Sequence, residues 1–448
     1  MFTEYGEIAD LAVYLALVEG HDVLLYVHDK AHARIAEGLV PHIKEWWQYL
    51  GEGYVWCFDS CSFGNLQDWL RSQGEAVVGG SEGADQLENN RQLGQDWFRS
   101  AGFDQPYSQN FTSLDEALSF VEEHSGTKWI LKQNMDAPKS ISHKGKFDHS
   151  EDMIFHLKEL KKSWNESDFG KFDCDLMEVV EGLEVAASAF WNGKDWLRDR
   201  NGKVVGFLNF EEKKEANDDT GETCGEMGTT FIGVDEDDPL FARILLRPEI
   251  QGRLAETQMR GVFDINCIQS EDGRLVALEP TCRFGVPASS YEFIEGLDSP
   301  TGELLSALAK GINRTVEIHK GLGMVMCVVG KPFPLDDPEL PDESTLMGER
   351  LWPLEDGKPT DEFTNEQLRH IHLYNFERIE DDETGEMAYK APTKNGYLLT
   401  VTMRGEDDVR DLRENLIEYI KQNVYIPGQK YRTDIGHRVE GLYEGATR

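Results

Sequence analysis

The 448-residue sequence predicts a mixed α/β and α+β protein whose amino-terminal domain is a doubly wound α/β sheet. In the amino-terminal part, short apolar runs alternate with helical patterns, which indicates a parallel sheet covered by helices. Farther along, predicted strands flank polar turns, and a strand followed by a helix completes the pattern. Parallel sheets of this kind bind ligands beyond the carboxyl ends of their strands, so we expect a binding cleft there.

The individual elements follow from local patterns. Short apolar runs predict buried strands, and apolar residues at helical spacing predict amphipathic helices. The amino-terminal predictions are strands at 22–27, 54–58 and 76–78, with helices at 35–50, 66–72 and 87–101. The central predictions are a helix at 113–124, strands at 129–132 and within 173–190, loops at 136–145 and 209–230, and a hairpin of 262–268 with 275–278. The carboxyl-terminal predictions are a strand at 323–329, loops at 331–358, a strand at 398–403, a helix at 409–422, and a solvated strand carrying His370 and His372.

The charge excludes several classes of protein. The chain has 45 Lys and Arg against 83 Asp and Glu, a formal net charge of −38, with the acid expected on surface loops such as 211–212 and 336–343. Its 10 Trp, 22 Phe and 14 Tyr argue against an acidic disordered chain. Broad nucleic-acid binding is disfavoured because it requires a basic face, and an acidic surface is repelled by anionic membranes.

Targeting and cysteine patterns predict a cytoplasmic protein. Residues 1–10 have no basic segment typical of a signal peptide, and no apolar run reaches the roughly 18 residues of a transmembrane helix. The seven cysteines are irregularly spaced, which favours reduced thiols. The common nucleotide and metalloprotease motifs GxxxxGK[ST], GxGxxG and HExxH are absent from the sequence.

One ordered set of polar residues has the composition of a nucleotide site. A nucleoside triphosphate needs lysines for its phosphates and a carboxylate for its ribose, and its Mg²⁺ needs oxygen ligands. These residue types occur in order along the chain; they are Lys132, Lys139, Glu178, Glu184, Asp264, Glu279 and Arg283. Each one alone is typical of a solvated surface, so only the ordered set indicates a site.

At these residues the chain resembles the ATP-grasp superfamily, and within it the glycinamide ribonucleotide synthetase (phosphoribosylamine–glycine ligase) family. Residues 219–228, DTGETCGEMG, are similar to the family pattern DxGPNTGGMG, and residues 278–287, LEPTCRFGVP, are similar to ExNxRFGDP. Weaker similarities cover a glycine turn, a helix, a strand and a carboxyl-terminal motif, at 77–81, 84–91, 321–326 and 431–438. The resemblance is ordered from about residue 20 to the end.

The resemblance implies a domain order and a reaction. The expected domains are an amino-terminal α/β domain (1–104), an ATP-grasp pair of subdomains (105–318, with a lid at about 115–185) and a carboxyl-terminal α+β domain (319–448). The implied reaction is an ADP-forming ligation of purine biosynthesis, in which a carboxylate and an amine are joined through an acyl phosphate. The implied substrates are small molecules, namely glycine or another amino acid as the acid and an amine acceptor; the chain is expected to be a monomer or homodimer.

The resemblance also implies roles for individual residues. The ATP-binding residues would be Arg91, Lys132, Lys139, Glu178, Val180 and Glu184, with Arg91 in place of a family lysine. The Mg²⁺ (or Mn²⁺) ligands would be Glu279, Asp264 and Thr281. Arg283 and Lys139 would be catalytic, because they face the transferred phosphoryl group.

Departures from the family pattern fall mainly on the phosphoribosylamine side. Residues 1–25 lack the family's glycine turn, and residues 57–61 lack its loop glutamate. Glu226 stands where the family has glycine, Thr281 replaces an asparagine, and residues 286–288 lose two acids. We therefore predict an ATP-dependent carboxylate–amine ligase with a changed acceptor. The alternatives are a true glycinamide ribonucleotide synthetase and an inactive ATP-grasp nucleotide sensor.

Overall fold

The computed structural model describes residues 1–133, 142–164, 171–335, 339–381, 384–406 and 408–440. It divides into two compact units, which we describe separately. The first unit comprises Met1–Ala101, Glu184–Cys267 and Leu278–Arg448, and the second comprises Gly102–Leu183 and Ile268–Ala277. None of the helices in the described ranges is long and apolar enough to cross a membrane.

The first unit begins with short parallel strands. Strand β1 (Phe2–Thr3) pairs with β2 (Tyr26–Val27), and β3 (Val55–Cys57) pairs with β4 (Ala76–Val78), both in parallel. Phe2, Trp56, Phe58, Leu70 and Val77 form the local core. The helices of this region are Ala9–Val13, continued by a π turn at Tyr14–Val18, then Gly64–Ser72, Glu82–Asn89 and Arg91–Ser100. The α/β character of the amino-terminal region is therefore as predicted.

One helix prediction in this region was wrong, and a second predicted one helix where the structure has two. The predicted helix at 35–50 is replaced by turns and a 3₁₀ turn at Trp46–Tyr49. Pro41 interrupts that segment, and Gly38 takes a positive φ of 75°, which a helix interior does not allow. The predicted helix at 87–101 is two helices, because Asn90 leaves the helical conformation and its side chain accepts a hydrogen bond from the Leu93 amide at 3.1 Å.

The second unit has a four-stranded sheet with two helices. The sheet order is β5-β8-β6-β7, where β5 is Ser108–Phe111, β6 is Trp129–Gln133, β7 is His143–Lys144 and β8 is Cys174–Glu178. The helices are Leu114–Glu123 and Glu151–Ser163. Ser113 caps the first of these, accepting a hydrogen bond from the Glu116 amide at 3.4 Å. The predicted helix at 113–124 and strand at 129–132 are confirmed.

A large sheet of eight described strands forms the centre of the first unit. Its order is β15-β14-β9-β10-β13-β16-β22-β19, where β19 is Ile371–Leu373 and β22 is Tyr397–Gly405. From β9 to β19 in this order, each strand is antiparallel to its neighbour. The other strands of this sheet are β9 (Gly182–Trp191), β10 (Val205–Glu211), β13 (Gly228–Asp235), β14 (Gly261–Ser270), β15 (Leu275–Thr281) and β16 (Leu322–Val329). A small hairpin of β11 (Lys214–Ala216) and β12 (Thr220–Thr223) lies between β10 and β13 in the sequence. The helices of this part are Pro239–Leu245, Pro248–Thr257, Ala288–Ser290, a π turn at Tyr291–Glu295, and Thr301–Ala309.

In the same region, the prediction of a loop at 209–230 was wrong. This segment contains the end of β10, the hairpin of β11 and β12, and the start of β13. The run of charged residues concealed the strands, because some of its side chains, such as Glu211 and Lys213, line a cavity and do not point to bulk solvent. Glu212, expected on the surface, is only 1% exposed.

The carboxyl-terminal region adds the last strands and a long helix. The strands are β17 (Arg350–Glu355), β18 (Lys358–Pro359), β19 (Ile371–Leu373), β20 (Glu377–Glu380), β21 (Met387–Lys390), β22 (Tyr397–Gly405) and β23 (Val424–Tyr425), and the helix is Val409–Asn423. The expectation of a solvated strand at His370 and His372 was wrong. His372 is 2% exposed within the large sheet, and burial lowers its pKa to about 3.

Candidate active site

A cavity of about 440 Å³ lies entirely within the first unit, and we call it the acidic cavity. Six of its described lining residues are acidic and two are basic. The acidic residues are Glu7, Glu211, Glu226, Asp264, Glu279 and Glu292, and the basic residues are Lys213 and Arg283. Carboxylates thus outnumber basic groups in the cavity, although several of its lining residues are buried.

Four of the predicted site residues line this one cavity. Asp264 comes from β14, whereas Glu279 and Thr281 come from β15 and Arg283 follows that strand. Because side chains alternate along a strand, Glu279 and Thr281 lie on the same face of β15. Because β14 is next to β15 in the sheet, Asp264 lines the same cavity as Glu279 and Thr281. The structure therefore brings the predicted metal ligands and Arg283 together.

Asp264 has an oxygen available for a cation. Its Oδ2 atom accepts a hydrogen bond from the Asn209 amide at 3.1 Å, whereas its Oδ1 atom has no hydrogen-bond partner among the described residues. The residue is only 9% exposed, and burial together with the carboxylates of Glu211 and Glu292 raises its pKa well above the ordinary range. A buried carboxylate oxygen without a partner is costly unless it is protonated or binds a cation. With Glu279 and Thr281 beside it, this hard-oxygen set fits Mg²⁺.

Lys213 is a site residue that sequence reasoning missed. Its Nζ atom lies 2.7 Å from Glu184 Oε1 and 3.2 Å from Glu211 Oε2. Although burial by itself lowers the Lys213 pKa, the two carboxylates raise it overall, so the ammonium stays charged. In the sequence Lys213 lies within a run of charged residues that suggested a solvated loop. Its position two residues after Glu211, in the connection between β10 and β11, was the available signal.

Arg283 is held in place by Glu88. Its Nε atom donates to Glu88 Oε1 at 2.8 Å, and the Cys282 amide donates to Glu88 Oε2 at 3.0 Å. Burial alone lowers the Arg283 pKa, but the Glu88 carboxylate raises it overall. Glu88 belongs to the helix Glu82–Asn89, so two segments that resemble the family motifs contact each other.

The other predicted nucleotide residues are distributed over both units. In the second unit, Lys132 lies on β6, Glu178 ends β8 with its carboxylate 2.7 Å from Arg274 Nη1, and Val180 is a buried residue that follows β8. In the first unit, Arg91 begins the helix Arg91–Ser100 and Glu184 binds Lys213. Lys139 lies outside the described residues.

A second charged cluster, the ion-pair network, also lies in the first unit. Its members are Glu212, Asp219, Arg432, Asp434, His437 and Arg438. Arg432 is 1% exposed and lies 3.0 Å from Asp219 and 2.8 Å from Asp434 through its guanidinium nitrogens. The segments 219–228 and 431–438, both similar to family motifs, are therefore joined by salt bridges.

The architecture is that of the ATP-grasp fold, which confirms the predicted fold class. The solved phosphoribosylamine–glycine ligase of Thermotoga maritima aligns over 97% of this chain and 99% of its own, with a TM-score of 0.64 and 17% identity. The N5-carboxyaminoimidazole synthetase of Staphylococcus aureus, solved in complex with ADP, covers 94% of this chain and 96% of its own, with a TM-score of 0.54 and 13% identity.

In sequence, the chain is similar to phosphoribosylamine–glycine ligases. The enzyme of Haemophilus influenzae is 23% identical over 382 residues, which are 83% of this chain and 79% of that protein. The enzyme of Vibrio parahaemolyticus is 21% identical over 379 residues, with the same shares covered. No protein-family model matches the sequence. The predicted resemblance is therefore confirmed.

Proposed function

We propose that the protein is an ATP- and Mg²⁺-dependent ligase that joins a carboxylate to an amine and releases ADP and phosphate. The observation that carries this proposal is the acidic cavity, where Asp264, Glu279, Thr281 and Arg283 meet and where Asp264 Oδ1 has no partner among the described residues. The ATP-grasp fold and the ligase relatives support it.

Asp264, Glu279 and Thr281 are the proposed metal ligands. Mg²⁺, when bound, neutralises negative charge on the phosphates of the nucleotide. Thr281 offers a neutral hydroxyl, so most of the binding free energy would come from the two carboxylates. The solved 2-oxoglutarate carboxylase domain of Hydrogenobacter thermophilus, which shares the fold with a TM-score of 0.57, contains MgADP.

Binding and orientation of ATP are assigned to several residues of this chain. Arg91, Lys132 and Lys139 would bind phosphate oxygens, Glu184 the ribose hydroxyls, and the main chain at Glu178 and Val180 the adenine. Glu184 is already oriented by Lys213 at 2.7 Å, which leaves its second oxygen to accept a ribose hydroxyl. In this way Lys213 would hold the Glu184 carboxylate in position and would not itself contact the phosphates.

The proposed reaction has two steps. A substrate carboxylate oxygen attacks the γ-phosphorus of ATP, the bond to the ADP oxygen breaks, and an acyl phosphate forms. The amine nitrogen then attacks the acyl carbon, its C–O bond to phosphate breaks, and an amide and phosphate result as the amine loses a proton. Arg283 would stabilise charge on the transferred phosphoryl group, and its contact with Glu88 holds the guanidinium in place before the substrate arrives.

Trapping the acyl phosphate tests the proposal without knowledge of the acceptor. The protein is incubated with ATP, Mg²⁺, hydroxylamine and pools of amino acids, and both ADP and hydroxamate are measured. We expect hydroxamate only when ATP and one acid are present together. Nucleotide binding without ADP formation in any pool would instead support the inactive sensor, and no nucleotide binding would refute both.

One observation favours a true glycinamide ribonucleotide synthetase as a second candidate. The curated relatives are named phosphoribosylamine–glycine ligase, and the chain spans 79% of the first two. Complementation of a strain that lacks this enzyme separates the two candidates. Growth without purines supports the second candidate, whereas hydroxamate formation without complementation supports a changed acceptor.

A further inference from the structure

The acidic cavity has more negative charge than its own cations neutralise. Lys213 already pairs with Glu184 and Glu211, and Arg283 already pairs with Glu88. Buried carboxylates that lack both a cation and hydrogen bonds are costly. These cavity carboxylates are therefore either protonated or neutralised by a positively charged ligand.

The proposed metal ligands leave two cavity carboxylates without a role. Glu292 is 1% exposed, and neither of its carboxylate oxygens has a hydrogen-bond partner among the described residues. Burial raises the pKa of Glu292 overall, although the nearby Ser188 hydroxyl acts to lower that pKa. Glu226 accepts a hydrogen bond from the Thr229 hydroxyl. Burial and then the carboxylates of Glu211, Asp264 and Glu292 raise the pKa of Glu226 well above the ordinary range.

The cavity wall beside these carboxylates is partly aromatic and apolar. Tyr291, the neighbour of Glu292, lines the cavity, and its ring is stacked on Phe231 with centroids 4.6 Å apart. Val262, Val286 and Ala288 add apolar surface. Mg²⁺ keeps several waters and prefers an all-oxygen shell, whereas an organic ammonium group is attracted both to carboxylates and to aromatic rings. The lining thus favours an ammonium group over a second metal ion.

We propose that Glu226 and Glu292 form a subsite for a primary ammonium group of a substrate, with Tyr291 beside it. This inference rests on the proposed function, because it assigns the substrate class of the same cavity. The ammonium group belongs either to an amino acid that is activated at its carboxylate or to the amine acceptor. In both cases a substrate that brings its own phosphate to this subsite is repelled by the two carboxylates.

Paired substrates identify the source of the ammonium group. In the first arm, glycine is compared with glycolate as the acid, with hydroxylamine as the acceptor. In the second arm, ethylenediamine is compared with ethanolamine as the acceptor. In one of the two arms, we expect Glu226→Gln and Glu292→Gln to raise KM about 10- to 100-fold for the compound with the additional ammonium group, which is glycine or ethylenediamine, since each variant removes a charged hydrogen bond. KM for glycolate or ethanolamine, which has a hydroxyl in place of that ammonium group, should be unchanged.

Controls separate this subsite from the metal site and from the overall fold. Glu222→Gln changes the same residue type at an exposed position of β12 and should leave both arms unchanged. Unchanged KM values for every charged substrate in both cavity variants would overturn the inference. It would also be overturned if the variants shifted only the Mg²⁺ concentration that gives half-maximal rate, because the carboxylates would then be metal ligands.

A binding measurement keeps the inference independent of turnover. Isothermal titration calorimetry of the whole protein with glycine and with ethylenediamine should show binding to the wild type and weaker binding to Glu226→Gln, with ATP binding unaltered. Binding of ATP without binding of either ammonium compound would refute the subsite while leaving the proposed nucleotide site intact. Binding of an ammonium compound without any ATP binding would refute the proposed function instead.

Discussion

The acidic cavity and the ion-pair network are built from the same kinds of residue, yet their charges are balanced differently. In the network, Arg432 and Arg438 lie against the carboxylates of Glu212, Asp219 and Asp434. In the cavity, both basic residues are already paired, and carboxylate oxygens remain without partners among the described residues. The comparison teaches that local charge composition does not distinguish a structural cluster from a binding site, whereas the number of unpartnered buried atoms does.

The pKa directions of Asp219 and Asp434 differ from those of the cavity carboxylates, whereas burial raises the pKa of the network residue Glu212 as well. In the network, burial acts to raise the pKa of Asp219 and of Asp434, but hydrogen bonds from Arg432 lower both overall. In the cavity, burial and neighbouring carboxylates raise the pKa of Asp264 and of Glu226. Three network side chains, Glu212, Asp219 and His437, also lie close enough to hold a metal ion, but the two arginines already neutralise these carboxylates.

The largest expected effect comes from breaking the network. Arg432→Met leaves the carboxylates of Asp219 and Asp434 without their buried cation, which should lower the free energy of unfolding by about 3–5 kcal/mol. Urea unfolding measures this change. Arg200→Met is the matched control, because Arg200 makes an exposed pair with Glu317 and should change stability by less than about 1 kcal/mol. Equal effects of the two variants would contradict a structural role for the network.

Removing a carboxylate from the acidic cavity should lower turnover more than it lowers stability. Glu279→Ala removes a proposed metal ligand, so ADP formation with Mg²⁺ should fall about 100- to 1,000-fold. Steady-state kinetics over a range of Mg²⁺ concentrations measures the fall. Glu271→Ala, at an exposed position of the hairpin between β14 and β15, should keep wild-type activity. Unchanged turnover in Glu279→Ala would remove this residue from the metal site.

The pH dependence of stability should have opposite signs for Glu292 in the cavity and for Asp219 and Asp434 in the network. Burial raises the pKa of Glu292 from 4.5 to about 7, so the folded state binds a proton that the unfolded state releases. Its unfavourable contribution is therefore absent below about pH 4.5 and grows to about 3 kcal/mol as pH rises through 7. The lowered pKa values of Asp219 and Asp434 instead stabilise the fold above their unfolded values, and this contribution is lost as pH falls into the acid range.

Glu292→Gln tests that sign directly. Without bound substrate, the variant should be more stable than the wild type at pH 8, and the difference should vanish near pH 4.5. Urea unfolding at the two pH values measures it. A variant that is less stable at pH 8 than the wild type would mean that Glu292 has a favourable partner in the folded protein.

The smallest expected effect concerns salt. The net charge of −38 repels ATP at a distance, so its affinity should rise a few-fold as salt first increases from a low concentration. Titration of ATP at several KCl concentrations with constant Mg²⁺ measures this change. Affinity that only decreases from the lowest salt upward would mean that local cations outweigh the acidic surface.

Much of the fold and part of the site follow from the sequence. Strands such as β3 and β16 were predicted because apolar runs are typical of buried strands. The roles of the cavity residues on β14 and β15 were predicted from the family resemblance, with Asp264 placed on the strand adjacent to Glu279. The strands within 209–230 were not predicted, because charged side chains such as Glu211, Glu212 and Lys213 face a cavity or a buried network that only the tertiary structure creates. Lys213 was missed for the same reason: its partner Glu184 lies on another strand.

The contact between Glu88 and Arg283 has a consequence for recombination between related chains. The two residues are 195 positions apart, yet one carboxylate binds both the Arg283 guanidinium and the Cys282 amide. A chimera that takes its amino-terminal segment from a relative without this glutamate would leave the arginine of the other parent unanchored. Crossover points that keep both residues from one parent should therefore yield active hybrids more often than those that separate them.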